Sequence, residues 1–463
     1  MTSMTIIPHW NPEDRGFWDR SGRAVARRNL WLSIPALALA FAVWMLWSVV
    51  VVQLPAAGFR YSTNQLFWLT ALPALCGATL RIFYAFAVPI LGGRRFTTLA
   101  TASLLLPAIG IGLAVQDPNT PFAWMVVLAL LCGIGGGNFA SSMANISFFF
   151  PGARQGLALG LNAGLGHLGV ALVQMLVPLA TSVGLFGVLS GPAQQTAQGP
   201  MWLQNAGFIW VPLILASTAA AWFGMDDLAD TRAGMAEQAV IFTRRHTWLM
   251  CWLYLGTFGS FIGLSACLPL LAQSQFQRAD ALHLVWLGPL IGAVLRPLGG
   301  WMADRWGGAR VTFWCFVAMA LGAAAAWLCL PATPPSAQHG AVGNFIGFLG
   351  AFGVLFAASG IGNGSTFRMI ASLFVADRVQ RAGGLMSAQT LAAREGAVEA
   401  AAALGFASAM GAYGGFFIPK SVGSSLAMTG SASAALAVFI VFYLSCIALT
   451  WWAYSRRNAP YPC

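Results

Sequence analysis

The sequence predicts an all-α membrane protein: twelve transmembrane helices in two pseudo-symmetric six-helix halves. Three observations carry this. The 463 residues are 58% hydrophobic and only 8% charged, with a mean hydropathy of +0.72, too little charge to cover a soluble chain of that length. Apolar stretches of about 18 residues or more, each enough to cross a hydrocarbon core, recur from end to end. A pentapeptide, Gly77-Ala78-Thr79-Leu80-Arg81, returns 215 positions later as Gly292-Ala293-Val294-Leu295-Arg296. Each copy runs on to a Gly-Gly pair at the same offset, Gly92-Gly93 and Gly307-Gly308.

Residues 1–30 are polar, carry Arg15, Arg20, Arg23, Arg27 and Arg28, and read as a cytoplasmic tail. Spans are expected at 31–53, 66–91, 97–116, 122–149, 156–180 and 205–224, making an N-terminal half of 31–224. Residues 225–246 are the most polar internal segment and read as a cytoplasmic central loop. Six further spans, at 247–272, 283–303, 311–330, 343–372, 397–418 and 432–455, make a C-terminal half of 247–455, with a second cytoplasmic tail at 456–463. With the N-terminus inside, eighteen basic residues fall in cytoplasmic segments, Arg60, Arg278 and Lys420 fall outside, and Arg81, Arg296 and Arg368 lie within spans. That is the positive-inside pattern of a multi-pass protein in a lipid bilayer. It accounts for the net charge of +11 without a nucleic-acid partner. The first apolar run, from Trp31, is too long for the core of a cleavable signal peptide, so none is expected. The eight cysteines show no metal-ligand spacing, and neither metal nor cofactor is expected.

The repeat extends beyond one span. Gly133-Ile134-Gly135-Gly136-Gly137 in the fourth matches Gly360-Ile361-Gly362-Asn363-Gly364 in the tenth, and Ala158-Leu159-Gly160 in the fifth matches Ala403-Leu404-Gly405 in the eleventh. Parallel six-span repeats with a substrate site near the membrane midplane resemble the major facilitator fold. The stretch Gly300, Asp304, Arg305, Gly307 and Arg310 between the eighth and ninth spans resembles the signature loop of that superfamily. Its first-half counterpart, Gly92-Gly93-Arg94-Arg95, lacks the aspartate. The many glycines of spans four, five, ten and eleven allow close helix packing, and also rocking with little side-chain obstruction.

An arginine at mid-membrane costs roughly 2.5–3.5 kcal/mol on insertion scales, so Arg81 and Arg296 are functional candidates, one per half, for holding a small anion. None of the thirteen acidic residues lies in the middle of a span; Glu399, in the first turns of the eleventh, comes nearest. A relay of buried carboxylates is therefore absent from the sequence. Two like charges at one depth repel most strongly when water is excluded, and an anion relieves that repulsion.

A closer resemblance rests on longer motifs. The run Gly137-Asn138-Phe139-Ala140-Ser141-Ser142-Met143-Ala144-Asn145-Ile146-Ser147-Phe148-Phe149-Phe150-Pro151 resembles the first nitrate signature of the NarK-type nitrate/nitrite porters. The run from Ala403-Leu404-Gly405, containing Gly411, to Gly414-Gly415-Phe416-Phe417-Ile418-Pro419-Lys420 resembles the second. The resemblance implies a monomer of the bacterial cytoplasmic (inner) membrane, both termini cytoplasmic, that carries nitrate and nitrite and is not an enzyme. It implies that a planar anion sits between Arg81 and Arg296 and that Phe139, Tyr254 and Phe258 sandwich it, the alternative for each ring being core packing. Where the family pattern in span five reads Asn-x-Gly-x-Gly-Asn with the last asparagine facing substrate, this chain has Asn162-Ala163-Gly164-Leu165-Gly166-His167. His167 can donate to the anion as asparagine would, can take a proton as asparagine cannot, or can be a hydrogen-bonded structural residue. Arg368 is a second departure, read either as a guide for anions or as a side chain reaching for the interface.

Nitrate is flat, singly charged and weakly hydrated. A forked guanidinium matches its trigonal oxygens better than an ammonium does. All basic residues but Lys420 are arginines. Exchange of nitrate for nitrite is the leading expectation. The alternatives are proton-coupled nitrate import through His167, an anion channel, or a nutrient sensor.

Overall fold

The computed structural model describes residues 6–187, 191–197, 199–229, 239–331, 343–382 and 386–456. Residues 230–238 of the central loop, with Arg232, and 457–463 of the second tail, with Arg457, lie outside the described residues. Twelve helices among those described are long and apolar enough to cross a membrane. The fourth, Phe122–Phe149, has the expected bounds.

Several others outrun the apolar stretch that predicts them. The first is helical from Arg15, so half of the expected polar tail is helix. The tenth, Phe345–Arg381, continues nine residues past 372, and the eleventh spans Leu391–Thr429. Apolarity marks the part of a helix inside the bilayer, whereas its hydrogen-bond ladder continues outside wherever charged neighbours support it. Arg381 and Asp377, one turn apart and 2.9 Å from each other, do so at the end of the tenth.

Helix ends follow local chemistry. The second helix, Thr63–Leu91, opens on a reciprocal cap in which the Gln65 N–H donates to Ser62 Oγ and the Ser62 N–H to Gln65 Oε1. Asn344 caps the tenth through the Gly347 N–H at 2.8 Å. The repeated Gly-Gly pairs do identical work. Gly92 has φ +87° and Gly307 +88°, a region open chiefly to glycine, and each turns the chain between consecutive spans.

The residues group into two compact units. One comprises Met1–Ala233 with Ser265–Gln273 and Arg278–Trp286; the other comprises Gly234–Leu264, Ser274–Gln277 and Leu287–Cys463. In the first, the second helix packs on the fourth, the first on the fourth and fifth, and the third on the sixth. In the second, the eighth packs on the tenth, the seventh on the tenth and eleventh, and the ninth on the twelfth. The sequence repeat is thus a repeat of packing. Two short strand pairs add to the helices: Ile6–Ile7 runs parallel to Asp227–Leu228, and Gln194–Thr196 pairs antiparallel with Gly199–Met201.

Glycine sets the closest helix approaches. A Cβ on Gly77 would come within 3.0 Å of the Gly136 Cα, and one on Gly364 would collide with the Arg296 carbonyl. Gly156, Gly160 and Gly405 face open space instead.

Candidate functional site

In the first unit, the second helix carries Arg81 inward, and its side chain is fully buried. Nε donates to the Gly136 carbonyl at 2.7 Å, a contact open because the facing stretch of the fourth helix is glycine. The guanidinium carbon lies 5.1 Å from the centroid of the Trp44 ring and 4.8 Å from that of Phe139. Both aromatic faces favour the cation. Trp44 is itself fixed by its ring N–H, which donates to the Pro73 carbonyl at 2.8 Å. It ends a helical stretch, Arg23–Trp44, that resumes only at Trp47. Behind Phe139 stands His167, its ring stacked at 5.7 Å with an interplanar angle of 13°, and Phe41 meets the imidazole edge-on at 4.5 Å. His167 is 1% exposed.

Asn162, one and a half turns before His167, is tied elsewhere. Its Nδ2 donates to Ser142 Oγ at 2.8 Å, and Ser142 Oγ lies 2.8 Å from Ser33 Oγ. Gly166 packs on Leu37 and Gly137 on Tyr84 and Leu80, while Gly164 is buried in the same helix as Asn162.

In the second unit, the eighth helix, Leu287–Trp306, places Arg296 at 6% exposure. Its Nη2 donates to the Tyr254 hydroxyl at 3.5 Å, and its guanidinium carbon lies 5.5 Å from the Phe367 ring centroid. Tyr254 and Phe258 lie 5.5 Å apart with rings tilted by 30°. Tyr254 precedes a π-helical turn, Leu255–Gly259, inside the seventh span, and Phe258 lies within it. Such turns are rare and concentrate at functional positions. Gly411 seats against both rings, where a Cβ would stand 2.8 Å from Tyr254 and 3.1 Å from Phe258, and Gly414 meets Gly259 backbone to backbone.

Arg368 pairs with Asp304, which the structure places near the end of the eighth helix, through Nε at 2.5 Å, both side chains about half exposed (54% and 56%). Arg305 lies over Trp301 at 5.1 Å. Glu399 is buried between Arg244 and Arg378, with contacts of 3.1 and 2.5 Å. It is engaged in a charged network at the end of the helices.

The structure therefore gathers Arg81, Phe139 and His167 in one unit and Arg296, Tyr254 and Phe258 in the other. It adds three aromatic neighbours that the sequence did not single out. Phe367 lies three residues past the repeated Gly360–Gly364 stretch, and that proximity was the available signal. Trp44 and Phe41 lie in a uniformly apolar span and gave none.

The comparisons with known proteins fit this arrangement. The profile of the Major Facilitator Superfamily matches residues 32–394. NarU, a nitrate/nitrite transporter of Escherichia coli (strain K12), is 50% identical over 457 residues, covering 98% of this chain and 97% of the relative. The chain belongs to the NarK-type nitrate/nitrite porters of this superfamily. Within the family, a probable nitrate/nitrite antiporter of Thermus thermophilus, NarK2, is 40% identical over 99% of this chain and 98% of its own. The nitrite extrusion protein of Bacillus subtilis (strain 168) is 24% identical over 94% of this chain and 96% of its own. A NarK-type porter is a multi-pass membrane transporter, in keeping with the twelve helices.

Proposed function

We propose that this porter exchanges nitrate for nitrite by alternating access in a bacterial cytoplasmic membrane, the anion bridging Arg81 and Arg296. The observation that carries the reading is the matched pair of settings. Each unit buries one arginine, on equivalent helices, and walls it with aromatic rings. A flat, weakly hydrated anion fits a dry slot of forked donors and ring faces, whereas a larger or more strongly hydrated anion loses its water shell without full replacement. No acid lies at the depth of either arginine in the sequence, so the anion itself offsets their mutual repulsion and the loaded carrier crosses most readily. Exchange of one monovalent anion for another moves no net charge. Import of a lone anion against an inside-negative potential costs roughly 2.3 kcal/mol per 100 mV. In liposomes loaded with nitrite, external nitrate is expected to enter in step with nitrite efflux. Uptake into liposomes holding neither anion, with no pH gradient, would reject exchange.

One observation favours a second reading, proton-coupled nitrate import. His167 is a buried ionisable side chain stacked on Phe139, itself in contact with Arg81. On that reading, uptake into empty liposomes rises with an inward proton gradient, and His167→Asn abolishes the rise.

A further inference from the structure

The end of the eighth helix carries an acid, Asp304, which pairs with Arg368 of the tenth. The matching stretch, from the end of the second helix through Gly92-Gly93-Arg94-Arg95, has none. The structure fills that gap from a distance. Asp227, just past the sixth helix, accepts the Arg94 backbone N–H on Oδ1 at 2.8 Å and the Arg94 Nε on Oδ2 at 3.3 Å, with Arg95 Nε 3.8 Å away. Both members of the main pair are buried, the side chains 4% and 6% exposed. The Arg94 guanidinium also lies 5.3 Å from the ring centroid of Trp222, on the sixth helix.

The third helix begins at Gly93, and its cap residue, Gly92, has no side chain with which to cap it. Asp227 supplies that cap, a carboxylate on a first-turn N–H where the helix dipole favours negative charge. The loop is shaped to receive it. Gly92 holds φ +87°, and a Cβ there would stand 2.8 Å from the Asp227 carboxyl carbon. Asp227 is also anchored on both sides. Asp226 is held by Arg28 Nη2 at 2.6 Å and Asn29 Nδ2 at 2.8 Å, and Asp227–Leu228 pairs with Ile6–Ile7.

We infer that Asp227 is the missing acid of the first-half signature loop. It is a positioning residue that caps the third helix and fixes the loop-side end of the second helix, three turns from Arg81, through the transport cycle. Each half thereby has an acid–arginine pair beside its glycine turn, Asp304 of the eighth helix with Arg368 of the tenth in one, and Asp227 with Arg94 of the third helix in the other.

The test has two arms on the full chain in lipid nanodiscs and liposomes. Hydrogen exchange of the amides at 92–96 needs no substrate. Asp227→Ala is expected to speed it at least tenfold, while Asp304→Asn leaves it unchanged. The transport arm rests on the nitrate/nitrite reading, with the unmodified chain as control. Asp227→Ala is expected to lower the maximal exchange rate at least tenfold, with the half-saturating nitrate concentration within twofold of the control. Asp227→Ala/Arg94→Met leaves no buried charge without its partner. It is expected to be as slow as the single variant, and it decides alone if the single variant fails to fold. Unchanged amide exchange at 92–96, a control-like rate in the double variant, or a rate loss matched by weaker nitrate binding would each overturn the inference. A control that moves no nitrate would overturn the transport reading alone, and the amide arm would still judge Asp227.

Discussion

Arg81 and Arg296 reach similar surroundings by different routes. One donates to a backbone carbonyl and lies between Trp44 and Phe139; the other donates to the Tyr254 hydroxyl and lies over Phe367. A lysine at either position keeps the charge but loses the planar fork and much of the stacking on the rings. Hydrogen bonds to charged groups contribute about 1.5–3 kcal/mol, so Arg81→Lys or Arg296→Lys is expected to cut nitrate exchange roughly tenfold to a hundredfold, read as initial rates of labelled nitrate counterflow. Both arginines were legible because an arginine deep in an apolar run stands out and because the flanking pentapeptide repeats. Trp44 was not legible, since nothing in the local pattern separates a tryptophan that faces a guanidinium from one that fills a core. Arg368 shows a related limit. The sequence shows its charge, but its partner Asp304 lies 64 positions away and is brought to it only by the fold.

At the scale of the helix, the glycines divide by what they face. Gly364 lies against the Arg296 carbonyl, so Gly364→Ala must push the tenth helix off the eighth; overpacking of this kind typically costs about 1–3 kcal/mol. Gly160 faces open space, and Ala is favoured over Gly in a helix by roughly 0.5–1 kcal/mol, so Gly160→Ala is expected to be neutral or stabilising. Thermal unfolding in detergent checks both: a lower midpoint for Gly364→Ala and an equal or higher one for Gly160→Ala. In sequence these glycines look alike, because spacing shows that a helix is rich in small residues without showing which of them meets a neighbour. The order and number of the helices were legible from hydropathy alone. Their ends were not, because the bilayer ends the apolar pattern while the hydrogen bonding of the tenth helix runs on to Arg381.

At the scale of the whole chain, the duplication is the most legible feature, carried by matched motifs in spans two and eight, four and ten, and five and eleven. It recurs as packing and as the positive φ of Gly92 and Gly307. What the duplication hides is the unequal upkeep of its halves, with Asp304 of the eighth helix in one and a residue from beyond the sixth helix in the other. Transport is a property of this scale. For electroneutral exchange, clamping the liposome membrane potential at different values is expected to leave the nitrate–nitrite exchange rate unchanged, and His167→Asn is expected to leave its pH dependence unchanged as well. A rate that rises with potential or with a proton gradient favours the coupled cycle instead.

The π-helical turn at Leu255–Gly259 bears on how the seventh helix tolerates change in length. Each residue of an α-helix advances the chain by about 100° around its axis, whereas a π turn spreads one additional residue over nearly the same rotation, so the side chains beyond it keep their phase. Deleting a single residue there, Gly256 for example, would restore regular winding, leave Phe261 and later side chains in phase, and set Phe258 three positions from Tyr254 instead of four. The aromatic pair beside Arg296 therefore depends on residue count as well as residue type, and a one-codon loss in this stretch would respace it while the helix on either side keeps its register.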